Sequence, residues 1–280
     1  MFELPELIHL AKQINETVQG KVIRRGSLGN SPHKFVWYNR SPEEFAALTA
    51  GRHIGEARPK GRWLMLSLEP GYVLVLGEFG GRLLYHSAGA ALPRKYHLAL
   101  SFEDGSSLTA TTQMWGAMEL YEQGKESERE YIQGMRPTPC EPEFTEAYFN
   151  SLLDDLLQQE KRSAKGLLTQ DQLIPGLGNA STQDILFLAR LHPRRPIQTL
   201  SGEERRGLYR AILETVERIA AGGGRCDEYD LFGRPGGYAR LMDKHAPGRP
   251  CPVCGGRVEK MAYLGGSCYF CPACQISGVG

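Results

Sequence analysis

The stretch that decides the fold is KGLLTQDQLIPGLGNASTQDILFLARLHP, at residues 165–193. Apolar residues recur at helical spacing on both sides of PGLGN (175–179), which interrupts the pattern with a proline and two glycines. Two helices joined by such a turn present backbone N–H groups and the side-chain amide of Asn179 to a phosphate. An ordinary packing corner between two helices would have the same pattern. The segment alone leaves both interpretations open.

The C-terminal tail contains two Cys-x2-Cys pairs, Cys251/Cys254 and Cys271/Cys274, with sixteen residues between them. Each pair places two thiolates on one tight turn, and the intervening loop lets both turns close a tetrahedral Zn²⁺ site. Four cysteines fill the coordination sphere and leave no position for an activated water, so we expect one structural Zn²⁺ per chain. The alternative is four cysteines that are unmetallated or joined in disulfides. Cys268 lies outside both pairs and is expected to pack.

Residues 21–121 alternate short β-prone runs with Gly, Pro, Asn and Asp, and EDG at 103–105 is typical of a hairpin. Six or seven short strands at this spacing predict a β-sandwich. Residues 5–19 precede them with apolar residues at helical spacing, Pro5 in the first turn and Gly20 as the stop. Further helices are predicted near 143–160, 167–174, 179–191 and 201–221.

These patterns predict an α+β protein of two domains. The first, at 1–121, is a β-sandwich with a leading helix, and the polar, proline-ending stretch 122–142 is a linker. The second comprises a helical region at 143–246 and a four-cysteine zinc-finger hairpin at 247–280.

Composition limits the classes of function. Hydrophobic residues make up 41% of the 280-residue chain and charged residues 23%, as in ordinary globular proteins. No apolar stretch approaches the ~18 residues of a membrane span, and MFELPELIHLAKQ has no leader pattern. We therefore expect a cytoplasmic protein with no membrane partner. Residues 161–280 hold 17 Lys/Arg against 11 Asp/Glu, whereas residues 1–160 hold 16 against 21, so the C-terminal part suits a polyanion.

Three motifs together resemble one family. PGLGNASTQDILFLARLHP looks like the helix-two-turn-helix signature of the formamidopyrimidine-DNA glycosylases and endonuclease VIII. MFELPEL is similar to the MPELPE start of those enzymes, the four cysteines match their zinc finger, and GGRCDEYDLFGRPGGY (223–238) resembles the segment before it. The resemblance spans the chain from end to end in the right order.

The resemblance implies the fold just described, with duplex DNA lying in a cleft between the two domains. Enzymes of the family flip a damaged base out of the stack. An N-terminal amine then attacks C1′ of its sugar and forms a Schiff base that leads to strand cleavage. The implied partner is double-stranded DNA that is damaged or abasic, and the resemblance implies a nucleoid-associated monomer.

Four positions keep the residue type that the family uses. Asn179 falls on the phosphate-binding asparagine, and Lys165 falls on a phosphate-contacting lysine fourteen residues earlier. Glu3 and Glu6 match the two N-terminal carboxylates, of which the first assists sugar opening and proton transfer.

Other positions depart from the family pattern where the chemistry occurs. Phe2 replaces the nucleophilic proline, so the amine of Met1 is the candidate nucleophile, with Phe2 near the reaction centre. Arg62 replaces a DNA-binding lysine of the sandwich, with Lys60 two residues away as an alternative amine. The DNA-contacting arginine of the finger falls on Gly266. The residues that fill the gap left by a flipped base align loosely with Phe79, Met114 and Trp115.

Two hypotheses from different classes follow. The first is a divergent glycosylase or abasic-site lyase that uses Met1, Lys60 or a water activated by Glu3 or Glu6, with weak or altered activity. The second is a non-catalytic protein that binds bent, damaged or branched nucleic acid. The retained glutamates favour the enzyme, although they also suit the N-terminus of a helix. Phe2 and Gly266 favour the binding protein.

Overall fold

The chain forms two compact units. The computed structural model describes residues 1–30, 34–78, 80–159 and 161–277. The first unit comprises Met1–Met135 and Ile219–Tyr238, and the second comprises Arg136–Arg218 and Ala239–Gly280. The sequence places the start of the helical region at 143 and ends it at 246, whereas Ile219–Tyr238 belongs to the first unit.

The first unit is a β-sandwich preceded by a helix. Its helices are α1 (Leu4–Thr17), α2 (Pro42–Thr49) and the short α3 (Glu130–Gln133). Its strands are β1 (Ile23–Leu28), β2 (Val36–Trp37), β3 (His53–Lys60), β4 (Trp63–Glu69), β5 (Tyr72–Gly77), β6 (Gly81–His86), β7 (Leu98–Phe102), β8 (Ser107–Thr112) and β9 (Gly116–Glu122).

Two sheets enclose the core of this unit. One has the order β1-β7-β8-β6 and the other β2-β9-β5-β4-β3, with every pair antiparallel except β2 and β9. The hydrophobic core contains the apolar face of α1 and inward-facing residues of both sheets. Trp63 and Gly77 are register partners on β4 and β5. A Cβ atom on Gly77 would lie 1.9 Å from the Trp63 indole, so the glycine makes room for the ring.

The predicted sandwich and leading helix are confirmed, but the described residues of this unit form nine strands instead of six or seven, and α2 and α3 were not predicted. Helix α2 begins with Ser41-Pro-Glu-Glu44, in which Ser41 Oγ accepts from the Glu44 amide at 3.1 Å. This capping box is a sequence signal for a helix start. Strand β3 has the sequence HIGEARPK, whose charged residues hide its alternating burial.

The second unit is helical and ends in a hairpin. Its helices are α4 (Glu146–Gln159), α5 (Ala164–Thr169), α6 (Asn179–Leu188) and α7 (Gly202–Ala221), and the hairpin strands are β10 (Glu259–Tyr263) and β11 (Gly266–Phe270). The helix predicted at 167–174 instead begins at Ala164, because Ser163 Oγ accepts from the Gly166 amide at 3.1 Å. It ends early because Asp171 and Gln172 adopt left-handed backbone conformations, with φ of 54° and 47°. Among the described residues, no helix combines the length and apolar character that a membrane span requires.

A buried ion cluster fixes the start of α1 to the segment Ile219–Tyr238. Arg225 Nη1 lies 3.2 Å from Glu3 Oε1, and its Nε and Nη2 lie 2.9 and 3.0 Å from the two carboxylate oxygens of Glu6. All three side chains are buried. Burial would lower the pKa of Arg225, but the carboxylates of Glu3 and Glu6 raise it above its usual value. The guanidinium therefore stays charged and balances carboxylates that have lost their water.

Replacing Arg225 by methionine should lower the free energy of unfolding by about 3–5 kcal/mol, because the change leaves buried carboxylates without their cation. The matched control is Lys12→Met, because Lys12 lies on α1 and both its side chain and that of its ion-pair partner Glu16 are exposed. The free energy of unfolding of the control variant should fall by less than about 1 kcal/mol. Chemical denaturation monitored by circular dichroism measures both.

The loss of stability in Arg225→Met should also depend on pH. Burial raises the pKa of Glu6 even though Arg225 opposes the shift, and removing Arg225 raises that pKa further. The folded variant then binds a proton that the unfolded chain releases, so its stability falls as pH rises towards the raised pKa. Denaturation curves of Arg225→Met with equal losses in mildly acidic and mildly alkaline buffer would contradict this account.

Candidate functional site

Glycines place Arg225 against the start of α1. Gly223 and Gly224 have φ of 78° and 101°, the left-handed region that favours glycine. A Cβ on Gly236 would lie 2.2 Å from the carbonyl oxygen of Gly224, so only a glycine permits the two backbones to meet. The Arg225 amide then donates to Glu6 Oε1 at 3.2 Å.

The α-amino group of Met1 lies beside this cluster. Met1 N is 2.8 Å from Glu228 Oε1, and the Met1 carbonyl accepts from Arg225 Nη2 at 3.0 Å. Arg225 Nη2 also lies 3.5 Å from Glu228 Oε1. The structure therefore brings together Met1, Glu3 and Glu6 with two residues that the sequence analysis did not single out.

This arrangement determines what the amine can do. An ammonium is not a nucleophile until it loses its proton, and the Met1 amine is in contact with the Glu228 carboxylate. Glu3 and Glu6 are held by Arg225, and the Glu3 amide donates to Glu6 Oε2 at 2.9 Å. The cluster thus contains an amine and carboxylates in contact, but each is engaged in an ion pair.

Phe2 does not occupy space at this site, contrary to expectation. Its side chain is 2% exposed and belongs to the hydrophobic core of the sandwich. Burial of the apolar ring is favourable, and it leaves the Met1 backbone at the surface. Gly80 lies close by, because a Cβ there would be 3.2 Å from Met1 N.

The other candidate cations of the sandwich lie on β3 and on the turn that follows it. Lys60 is half-buried at the end of β3, where it is the register partner of Trp63. Arg62 is half-buried, and its Nη1 lies 3.4 Å from Glu78 Oε2. The roles assigned to Lys60 and Arg62 stay predictions.

The structure describes two of the three residues that align with the gap-filling positions. Met114 and Trp115 are exposed in the loop between β8 and β9. The Trp115 ring stacks on Trp37, with the two centroids 5.5 Å apart and an interplanar angle of 6°. Phe79 lies outside the described residues, so its predicted role is neither supported nor opposed.

In the second unit, Asn179 is the first residue of α6 and faces the hairpin. Its Nδ2 lies 3.4 Å from the Ser267 carbonyl oxygen. A Cβ on Gly266 would lie 3.1 Å from Asn179 Oδ1, so the glycine lets β11 approach the asparagine closely. A larger residue at 266 would require the Asn179 side chain to shift by a few tenths of an ångström. The glycine at 266, where the family resemblance implies an arginine, therefore matches the close approach of β11 to Asn179.

Lys165 supports the hairpin from within. It is 1% exposed, and its Nζ donates to the Tyr263 carbonyl at 2.6 Å. The ammonium therefore provides a hydrogen-bond donor for the carbonyl group of the last residue of β10. The expectation that Lys165 contacts a phosphate stays a prediction.

Gln183, which the sequence analysis missed, attaches α6 to β11. Its Nε2 donates to the Ser267 carbonyl at 3.1 Å, and its Oε1 accepts from the Tyr269 amide at 3.0 Å. The side chain thereby pairs with β11 as a neighbouring strand would. No motif marks this residue, because its role depends on a contact between distant positions.

The four predicted metal ligands converge. Their Sγ atoms all lie within 4.8 Å of one another. Cys251 and Cys274 Sγ are 3.8 Å apart, and Cys254 and Cys271 Sγ are 3.5 Å apart. A tetrahedral Zn²⁺ with Zn–S bonds of ~2.3 Å requires sulfurs ~3.8 Å apart, so the spacing fits a metal ion. Cys268 is buried on β11 outside this group, as expected.

Backbone amides in the turns donate to two of the four sulfurs, whereas burial and the neighbouring sulfurs raise the pKa of Cys271 and raise that of Cys274 to about 12. The Val253 amide donates to Cys251 Sγ at 3.5 Å, and the Gly256 amide donates to Cys254 Sγ at 3.4 Å. Burial alone would raise the pKa of Cys251, but backbone amides of Cys254 and Val253 outweigh it and lower that pKa to about 7. A sulfur that carries negative charge is the form that binds a metal ion.

Comparison with known proteins agrees with these features. The family model for the formamidopyrimidine-DNA glycosylase N-terminal domain matches residues 1–115, and the model for the H2TH domain of that enzyme matches residues 135–228. Relatives named formamidopyrimidine-DNA glycosylase include one from Chloroflexus aurantiacus, 32% identical, with 99% of this chain and 98% of the relative covered. Another, from Bacillus cereus, is 29% identical, with 98% and 99% covered.

Solved structures have the same fold. The MutM (Fpg) protein of Thermus thermophilus superposes with a TM-score of 0.80 at 29% identity, covering 98% of each chain. Lactococcus lactis Fpg, in a complex with DNA that contains an abasic site, superposes with a TM-score of 0.83 at 22% identity, covering 98% of this chain and 99% of that one. With two domain matches along the chain and full-length relatives, this protein belongs to the formamidopyrimidine-DNA glycosylase family of DNA repair glycosylases.

Proposed function

We propose that this protein binds damaged or abasic duplex DNA and cleaves abasic sites weakly through the amine of Met1. The observation that carries the proposal is the contact of Met1 N with Glu228, beside buried Glu3 and Glu6. An amine next to carboxylates supplies the groups for Schiff-base chemistry at an aldehyde. Family membership supports the DNA substrate.

The reaction has a simple balance. The Met1 ammonium first passes a proton to an acceptor. The Glu228 carboxylate, which is in contact with the amine, can serve as that acceptor. The neutral amine adds to the C1′ aldehyde of the ring-opened sugar, and loss of water gives an imine. Loss of a proton from C2′ then expels the 3′-phosphate and breaks the strand, and hydrolysis of the imine returns the amine. Proline would give an iminium ion directly, whereas the primary amine of Met1 forms an imine that must be protonated. This difference, and the ion pair of the amine, support low activity.

A non-catalytic binding protein is the second candidate, and one observation favours it. Glu3, the carboxylate that the family resemblance assigns to proton transfer, is held by Arg225 at 3.2 Å. The Glu3 oxygen in that ion pair is therefore occupied by the guanidinium. If the cluster does not rearrange on binding, the protein recognises abasic DNA without cleaving it.

Borohydride trapping on DNA with one abasic site tests the chemistry. We expect slow formation of a covalent protein–DNA adduct, seen as a shifted band on a denaturing gel. Adduct formation should disappear when the α-amine is blocked, should fall at least about tenfold in Glu3→Gln, and should survive in Lys60→Ala. We also expect little or no release of 8-oxoguanine from duplex DNA.

Three results would count against this assignment. Trapping that survives amine blocking but is absent in Lys60→Ala would make Lys60 the nucleophile. Robust 8-oxoguanine release would show that a proline is dispensable in this chain. Tight binding of abasic DNA without any trapped adduct would support the non-catalytic protein.

The proposed DNA-binding surface of the second unit contains Asn179. Replacing Asn179 by alanine should raise Kd about ten- to a hundredfold for every duplex sequence, because a hydrogen bond to a charged phosphate contributes about 1.5–3 kcal/mol. Fluorescence anisotropy across a salt series gives the measurement, and affinity should fall steeply with salt. Asn150→Ala on α4 is the matched control. Salt-independent binding, or equal affinities of the two variants, would exclude this surface.

We further propose that the tetrad binds one structural Zn²⁺. Freshly purified protein should contain one equivalent by elemental analysis, and Cys271→Ser should lose the metal and disorder the hairpin. The sandwich should remain folded in that variant, because its core lies in the first unit. Cys226→Ser, at an exposed cysteine outside the tetrad, should retain the metal. Fresh protein without stoichiometric metal would refute the assignment.

A further inference from the structure

The second unit contains a pocket of about 620 Å³ in the segment that leads into the cysteine tetrad. This volume lies within the range of ~300–1,000 Å³ that is typical of ligand sites. All of its lining residues come from the segment 239–258. The helix-turn motif at 175–193 and the glycine-rich segment 223–238 contribute none of them, so the proposed DNA chemistry leaves this pocket without a role.

Apolar side chains form the floor of the pocket. Ala246 and Val258 line it and are almost fully buried, in the same hydrophobic cluster as two of the cysteines. Leu241, Pro250 and Pro252 extend the apolar surface to the exposed rim. Covering exposed apolar surface is favourable by about 25 cal/mol per Å². A ligand that fills this pocket therefore needs an apolar group.

The rim of the pocket is mainly cationic. Arg249 and His245 line it with exposed side chains, and Arg240 lines it with a half-buried one. The segment 239–260 as a whole holds five Lys/Arg against two Asp/Glu. A guanidinium forms strong, charge-assisted hydrogen bonds with a carboxylate or a phosphate. The rim therefore favours a ligand that is anionic as well as apolar.

Asp243 distinguishes between the two kinds of anion. Its carboxylate lines the pocket, and its Oδ1 accepts from the His245 amide at 2.8 Å. This carboxylate repels the phosphates of a nucleic-acid backbone, whereas the N–H groups of a peptide backbone can donate to it. The described lining also contains no Phe, Tyr or Trp on which a base would stack. The mixture of groups favours an acidic peptide over a nucleic acid.

Both ends of the pocket are held in place by hydrogen bonds. The buried carboxylate of Asp184 accepts from the amides of Leu241 and Met242 at 3.0 and 2.8 Å, and the Met242 side chain is fully buried. At the other end, the Arg249 carbonyl accepts from the Val258 amide at 3.0 Å. A pocket that is already ordered loses little conformational freedom when a ligand binds.

We propose that this pocket binds a short acidic segment of a partner protein. An apolar side chain of that segment packs on the floor at Ala246 and Val258, and a neighbouring carboxylate pairs with Arg249. The site uses neither the amine of Met1 nor the cysteines of the tetrad. It therefore gives the protein a docking function that is independent of its reaction with DNA.

Fluorescence anisotropy tests the pocket with a labelled peptide that has one leucine between two pairs of acidic residues. The full-length protein should bind this peptide saturably. Arg249→Gln should weaken binding about tenfold, because it removes one charge-assisted hydrogen bond while the backbone contacts of residue 249 remain. The matched control is Lys244→Gln, which removes the same charge from an exposed neighbour outside the lining. It should change the affinity by less than about twofold.

The peptide itself supplies the second comparison. Replacing its leucine by glycine should also weaken binding about tenfold, because the floor of the pocket then stays uncovered. Equal affinities of Arg249→Gln and Lys244→Gln would show that the peptide follows the general positive charge of the segment. That result, equal affinities for the leucine and glycine peptides, or no saturable binding would overturn the proposal.

An intact labelled DNA duplex tests the other occupant. Arg249→Gln and Lys244→Gln should bind it with Kd values that agree within about twofold, since the pocket is not a DNA contact. If Arg249→Gln selectively weakens duplex binding and leaves peptide binding unchanged, the pocket binds nucleic acid and the proposal is wrong. The peptide titration contains no DNA, so failure of the proposed function would leave its result intact.

Discussion

The pairing of Arg225 with Glu3 and Glu6 is the contact on which the first unit depends. Removing a single charge from water costs several kcal/mol, so none of the three side chains would be stable in this position alone. Together they join two segments 219 residues apart in the chain, the start of α1 and the loop after α7. That junction positions the Met1 backbone, because Arg225 donates to the Met1 carbonyl. The Met1 amine is positioned in turn by its contact with Glu228.

In the second unit, buried side chains hold the hairpin and its neighbouring segments through hydrogen bonds to the backbone. A hairpin of two short strands is marginally stable alone, so it needs support from its neighbours. Gln183 pairs with one edge of β11, and Gln275 donates to the Leu191 carbonyl at 2.9 Å while accepting from the Cys271 amide at 2.9 Å. The carboxylate of Asp184 accepts from the amides of Leu241 and Met242. These contacts hold the segments around the cysteines, which is why the four sulfurs converge.

The sequence allowed prediction of features whose cause is local. Proline, glycine and cysteine act over a few residues, so the turn at 175–179, the hairpin at 103–105 and the cysteine tetrad were all evident. Arg225 and Glu228 were not, because an arginine among other charged residues looks like any solvated one until the fold brings Glu6 beside it. Phe2 was misjudged for the same reason: its burial depends on a core assembled from both sheets. The resemblance to a family supplied the candidate roles, whereas the contacts of Lys165 required the structure.

Burial of Phe2 links chemistry to folding at adjacent residues. Placing at this position the proline that the family resemblance implies would delete an aromatic ring from the sandwich core, and truncating a buried phenylalanine costs about 3–5 kcal/mol. That loss is a large fraction of the net stability of a typical domain. Phe2→Pro alone would therefore weaken the sandwich core unless other residues of that core compensated for the lost ring.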